Sequence, residues 1–236
     1  YGIGSIKLSN YSIKYVDSLS TYHGYRYIFN QHKYFFETST STPTIIDAGG
    51  YIGLSVLYYK YLYPKAKIKV FEPDPRIYEI LKQNIENNHL RNVTSYNTAL
   101  GLYNKTIDLF PDGADGGSLF HLDHSNKSDI HVVKAKMVKL STYIQAPIDL
   151  IKLNIEGSEY DVLREIEDKL PLVKRIIFQY HAFRSLPQTL GRILAILDRH
   201  HFQYIVTDGI SSKLPIFQTL PNNYRHFNLI YAQQHK

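Results

Sequence analysis

T-I-I-D-A-G-G-Y-I-G-L-S, Thr44 to Ser55, decides the fold. Thr44–Asp47 is a short apolar run of strand type, and Leu54–Leu62 is a helical pattern that ends before Pro64. Between them Gly49, Gly50 and Gly53 make a tight strand-to-helix turn. Gly49 and Gly50 let backbone come close to a ligand, Gly53 lets the helix pack near the strand, and the helix start offers unpaired N–H groups. A plain turn reads the same way, because short glycine motifs also arise by chance.

Outward from this turn the chain alternates strand and helix. Ile68–Phe71 is a strand, Pro75–His89 an amphipathic helix with Ile77, Ile80, Leu81 and Ile85 at helical spacing, and Val93–Asn97 a third strand. Thr106–Phe110 and His131–Val138 read as strands around a glycine-rich loop, D-G-A-D-G-G-S-L-F, at 112–120. Then come strand Leu150–Leu153, helix Glu159–Leu170, strand Arg175–Phe178, helix Pro187–His200 and closing strands Phe202–Thr207 and Asn228–Tyr231. Repeated strand–helix units predict an α/β, doubly wound, mainly parallel seven-stranded sheet with helices on both faces. Ligands in such sheets bind beyond the C-terminal strand ends. Residues 1–43 read as an N-terminal extension of short strands and turns, closed by the breaker Ser39–Pro43, and 44–236 as the domain proper.

Composition narrows the function classes. With 236 residues, 44% of them hydrophobic, the chain can build a core. No apolar run approaches the ~20 residues of a membrane-spanning helix, and no signal peptide is recognisable. Cysteine is absent, which fits a reducing compartment such as the cytoplasm and excludes cysteine nucleophiles and thiolate metal sites. The net charge of +6 permits an acidic partner, but the Lys and Arg are scattered and read as a solvated surface rather than a nucleic-acid footprint.

A second feature supports a nucleotide-like cofactor. V-F-E-P-D places Glu72 at the end of the second strand, nineteen residues past Gly53, where a carboxylate can accept from both hydroxyls of a ribose. Helix capping, its other reading, suits Asp74 better. NAD would use the same two features, and Ala48, Gly50 and Gly53 imitate its fingerprint. Asp47 favours S-adenosylmethionine (SAM), because a carboxylate at that strand end would repel a pyrophosphate and attract an ammonium or sulfonium.

The segment D-L-I-K-L-N-I-E-G-S-E-Y-D-V-L, Asp149 to Leu163, resembles the strand-four signature of the FkbM family of SAM-dependent methyltransferases, within the class I methyltransferase fold. V-F-E-P-D-P, Ala99–Gly101 and G-G-S-L support the resemblance, which spans about Thr44 to Tyr180. It implies methylation of a hydroxyl, often on a sugar, glycolipid or polyketide-like metabolite. The chain departs from the family pattern at Gly50-Tyr51 (Ala-Asn in the family), Asn154 (Asp) and Gln179 (Glu). The last two remove charge near the expected centre and keep a catalytically inactive SAM-binding module as an alternative.

On this reading Asp47, Gly49, Gly50, Tyr51, Gly53, Glu72, Pro73, Ala99 and Asn154 hold the cofactor. His181, just after the fifth strand, is the first candidate for the general base, because its pKa lies near neutrality. Glu156, Asn154 and Lys152 are further catalytic candidates, and Glu159, Ser118, Phe120 and His181 face the acceptor. Each has a plainer reading: a loop-capping histidine, a helix-start glutamate, a strand-end lysine. His121 and His124 have zinc-like spacing but no companion ligands, so no metal is expected. A nucleic-acid methyltransferase is a rival reading, weakened by the missing cysteine and by N-I-E-G where base-amine enzymes carry a Pro-Pro-aromatic turn.

Overall fold

The computed structural model describes residues 2–8, 10–110, 132–183, 186–208 and 225–234. In chain order these form β1 (Gly4–Leu8), β2 (Tyr11–Tyr15), α1 (Ser18–Tyr25) and a π-helical turn (Arg26–Asn30). There follow β3 (Thr44–Ala48), α2 (Leu54–Leu62), β4 (Lys67–Phe71), α3 (Pro75–Asn87), β5 (Val93–Tyr96), β6 (Ala99–Leu100), β7 (Lys105–Leu109) and β8 (Val133–Val138). The chain closes with β9 (Leu150–Leu153), α4 (Glu159–Glu165), β10 (Arg175–Phe183), α5 (Leu190–Arg199), β11 (Phe202–Asp208) and β12 (Arg225–Gln234).

Seven strands form one sheet in the order β11-β12-β10-β9-β3-β4-β5. The five from β10 to β5 are parallel, and β12 enters antiparallel between β10 and β11. This is the doubly wound, mainly parallel α/β sheet that the strand–helix alternation predicts. Its order reverses at β3–β9, so the crevice for a ligand opens above those two strand ends. A separate three-stranded sheet, β6-β8-β7, follows β5.

Side-chain alternation on the central strands sends Ile46, Ala48, Ile151, Leu153, Ile176 and Phe178 to one face, under Val162 and Leu163 of α4 and Ile193 and Leu197 of α5. Ile45, Val70, Leu150 and Ile177 face the other way, under Leu57 and Tyr58 of α2 and Ile80 and Leu81 of α3. The N-terminal segment covers this second face. Asn84 on α3 fastens it: its amide donates to Lys14 O (2.9 Å) and to Ile52 O (2.7 Å), and its oxygen accepts from Lys14 N (2.7 Å). One buried asparagine thus joins the β1–β2 hairpin to the glycine turn.

Four expectations need correction. Residues 1–43 contain helix α1 as well as strands; S-L-S-T-Y-H-G-Y has no apolar stripe to announce it, and the Asp17 side chain caps it by accepting from Ser20 N at 2.7 Å. The helix from Glu159 stops at Glu165 and tightens into a 3₁₀ turn, Glu167–Leu172, because Pro171 has no N–H and disfavours the helical region for its predecessor. The helix expected from Pro187 begins at Leu190, where Tyr180 Oη accepts from Thr189 N at 2.8 Å. Finally, β10 runs to Phe183, so His181 lies within the strand rather than after it; β12 pairs with it along its whole length, Arg175↔Gln233 to Phe183↔Arg225.

Candidate active site

The glycine turn closes on the protein itself. A Cβ on Gly49 (φ +80°) would lie 1.8 Å from the Asn154 carbonyl oxygen, and one on Gly50 would lie 2.3 Å from a Val70 methyl. Both glycines are therefore required by the ends of β9 and β4, whatever a ligand asks of them. Gly53 caps α2 in the left-handed region (φ +93°), and a Cβ built on it would lie 2.9 Å from Leu81. The close packing at Gly53 is thus with α3 rather than with the preceding strand. Tyr51 also has positive φ, +48°, a conformation costly for a bulky residue.

Asp47 does not face the crevice. It is fully buried, with Oδ1 3.0 Å from Lys152 Nζ and Oδ2 accepting from Ser55 Oγ at 2.5 Å. Asp47 and Lys152 are register partners on adjacent parallel strands, so their side chains emerge side by side. Lys152 Nζ also donates to Gly49 O at 2.6 Å and lies 5.4 Å from the Tyr34 ring centroid. Lys152 is thus engaged inside the turn, and its neutralising charge removes the electrostatic argument that set SAM above NAD.

Glu72 directly follows β4, the strand-end position that the sequence predicts for it. It is buried, and its carboxylate accepts from Tyr51 N (2.9 Å) and Asp74 N (3.0 Å), one bond to each oxygen. Each oxygen keeps a second acceptor site, so the two hydroxyls of a ribose can still be bound. Burial pushes its pKa up to about 7, against the pull of these N–H donors. Asp74 caps α3 by accepting from Arg76 N at 2.9 Å. Asn97, which sequence reasoning missed, donates to Glu72 O (2.9 Å) and Pro73 O (3.2 Å) and so ties the end of β4 to the chain after β5. Ala99 lies buried in β6, beside Met137.

Beyond β9 the chain carries Asn154, Glu156 and Glu159. Asn154 Oδ1 is buried without a hydrogen-bond partner among the described residues, next to the glycine turn. An unmet acceptor is costly, so this atom is open to a donor from a ligand, while the rest of the side chain is engaged with the Tyr34 hydroxyl. His181 lies between two acids: Nδ1 is 3.0 Å from Glu159 Oε1 and Nε2 is 3.4 Å from Glu156 Oε1, all three side chains buried. Gln179, on the same face of β10, donates to Tyr34 Oη at 2.9 Å. Tyr34, a second residue missed from sequence, brings the N-terminal segment under the site, and burial raises its phenol well above the usual value. Its only sequence signal was aromatic density in Y-F-F, residues 34–36. Ser118, Phe120, His121 and His124 lie outside the described residues. Among the described residues, no group of three His, Asp or Glu is arranged to hold a metal.

The model of the methyltransferase FkbM domain matches residues 47–204, more than half of the chain. The chain belongs to the FkbM methyltransferase family. It is 29% identical over 207 residues to methyltransferase sdnD of Sordaria araneosa, covering 73% of this chain and 78% of that one. It is also 29% identical over 146 residues to methyltransferase 1 of Beauveria bassiana, covering 53% of this chain and 59% of that one. Two solved structures share the fold at a TM-score of 0.54: the FkbM methyltransferase of Methylobacillus flagellatus (14% identity, 84% of this chain, 45% of that chain) and M. jannaschii TYW2 in complex with AdoMet (15% identity, 99% and 87%). The chain therefore spans 59% of the Beauveria relative and 45% of the Methylobacillus chain. The family match, rather than Asp47, now separates SAM from NAD.

Proposed function

We propose that this chain is a SAM-dependent methyltransferase that acts on a hydroxyl group, with a sugar, glycan or glycolipid as the acceptor class. The observation that carries the cofactor half is Glu72, a buried carboxylate held by Tyr51 N and Asp74 N with one acceptor site left on each oxygen. The residues fit the group: Glu72 for the ribose diol, the Asn154 acceptor for the ammonium, and the loop after β4, with Pro73 and Ala99, for the base. When bound, SAM supplies a methyl carbon already activated by its sulfonium.

The work left to the protein is to align an oxygen, exclude water and take up a proton. His181 is the base in this reading. It lies on β10 beyond the end of β9, on the face shared by Lys152 and Gln179, which supports this reading. A hydroxyl within reach of Nε2 can pass its proton to the imidazole, and two carboxylates stabilise the resulting cation. Lys152, a catalytic candidate on sequence grounds, has a structural task in the turn instead. The hydroxyl class is supported by the family resemblance, by the absence of cysteine and by N-I-E-G after β9. No helix among the described residues is long and apolar enough to cross a membrane. A cysteine-free chain suits the cytoplasm as its place of work.

The test is transfer of a labelled methyl group from SAM to a panel of sugar and glycolipid hydroxyls. His181→Ala should lower turnover by about 10²-fold or more while leaving the affinity for S-adenosylhomocysteine (SAH) nearly intact. A wild-type rate in that variant removes His181 as base. SAH binding with no transfer to any acceptor makes the chain a binding module.

A further inference from the structure

The Glu156–His181–Glu159 cluster holds more order than a general base requires. Glu159 sits in a cage of donors: Ile155 N–H reaches Oε1 at 3.3 Å, and Gly157 N–H reaches Oε1 at 3.2 Å and Oε2 at 3.1 Å. The loop achieves this by placing Glu156 (φ +54°) and Gly157 (φ +100°) in succession in the left-handed region, which turns backbone N–H groups toward one carboxylate. Glycine adopts that conformation freely and glutamate does not, so the curl at Glu156 is held by its surroundings. It also leaves the Glu156 carboxylate on the Nε2 side of the ring, opposite Glu159.

We propose that Glu159 is a positioning residue that fixes His181 as its Nδ1–H tautomer, so that Nε2 carries the lone pair, with Glu156 as counter-charge once Nε2 is protonated. This rests on the reading of His181 as base. A carboxylate can only accept, so its 3.0 Å contact with Nδ1 is an N–H donated by the ring. In the neutral imidazole the other nitrogen is then the acceptor. Its 3.4 Å separation from Glu156 Oε1 is long for a hydrogen bond and close enough for an ion pair. Phe183, stacked at 6.2 Å between centroids, and Phe227 at 5.8 Å flank the imidazole and resist its rotation. Lys152, the buried cation on this face of the described strands, is paired with Asp47. Among the described residues nearby, Tyr34 and Gln179 are neutral groups that bond to each other.

The experiment is long-range ¹H–¹⁵N correlation of ¹⁵N-histidine-labelled protein, without ligand, with His181 assigned by the signal lost in His181→Gln. At the alkaline limit of its titration, His181 should show a protonated Nδ1 and a bare Nε2. Glu159→Leu should change this: it removes the acceptor at Nδ1 and leaves Glu156 as the carboxylate of this pair at the ring, so the ring proton moves to Nε2. A wild-type Nε2–H tautomer overturns the proposal without any variant, even if Glu159→Leu does not fold. An unchanged tautomer in folded Glu159→Leu overturns it too. Calorimetry with SAH separates the parent reading: wild type and Glu159→Leu should bind within about twofold of each other. A tenfold loss in the variant would make Glu159 a cofactor ligand and overturn the positioning role, whereas no binding to wild type would defeat the SAM reading and leave the tautomer result standing.

Discussion

The two faces of the central strands are built from the same backbone and differ in almost everything else. On one, Ile46, Ile151, Leu153 and Phe178 pack under α4 and α5 with no charged group among them. On the other, Asp47, Lys152, Gln179 and His181 are equally buried. The first face is held by burial of apolar area. The second is polar only toward the C-terminal strand ends, below which Ile45, Leu150 and Ile177 restore an ordinary core. The difference teaches that Asp47 with Lys152, Gln179 with Tyr34 and His181 with Glu159 each depend on a named partner, so the energetics of this face are those of pairs.

The comparison predicts unequal costs at adjacent positions. Lys152→Met leaves the fully buried Asp47 carboxylate without its counter-charge and should cost about 3–5 kcal/mol in urea denaturation. Tyr34→Phe removes the oxygen that accepts from Gln179 Nε2 and should cost about 1–3 kcal/mol in the same measurement. Ile151→Val, next to Lys152 but on the apolar face, should cost about 0.5–1.5 kcal/mol. If Lys152→Met were no worse than Ile151→Val, the two faces would not differ as described.

The apolar face was the legible one. Short runs such as Ile45–Ile46 and Ile176–Phe178 announce buried strands, and the helices that cover them carry apolar residues at helical spacing. The end of β10 was not legible, because Q-Y-H reads as polar and so as the start of a loop; only its pairing with β12 extends it. The turn's location and Glu72 could be read from glycine and acid spacing. What Asp47 does could not, since Lys152 becomes its neighbour through strand register more than a hundred residues later. A lysine in the middle of L-I-K-L, a run otherwise fit for burial, was the signal that a partner existed. Tyr34 lies before the matched family segment and carried no motif at all.

Glu72 offers the most direct test of the central claim, that the crevice holds SAM through a buried acid. Its pKa is pushed up to about 7 in the free protein, while a ribose diol needs the anion, so binding must release a proton at lower pH. SAH affinity measured by calorimetry should therefore fall roughly tenfold from pH 8 to pH 6 in wild type. Glu72→Ala should bind SAH at least about tenfold more weakly at pH 8, about 1.4 kcal/mol, and lose most of that pH dependence. Equal SAH affinity in wild type and Glu72→Ala, or binding of NAD in place of SAH, would contradict the account.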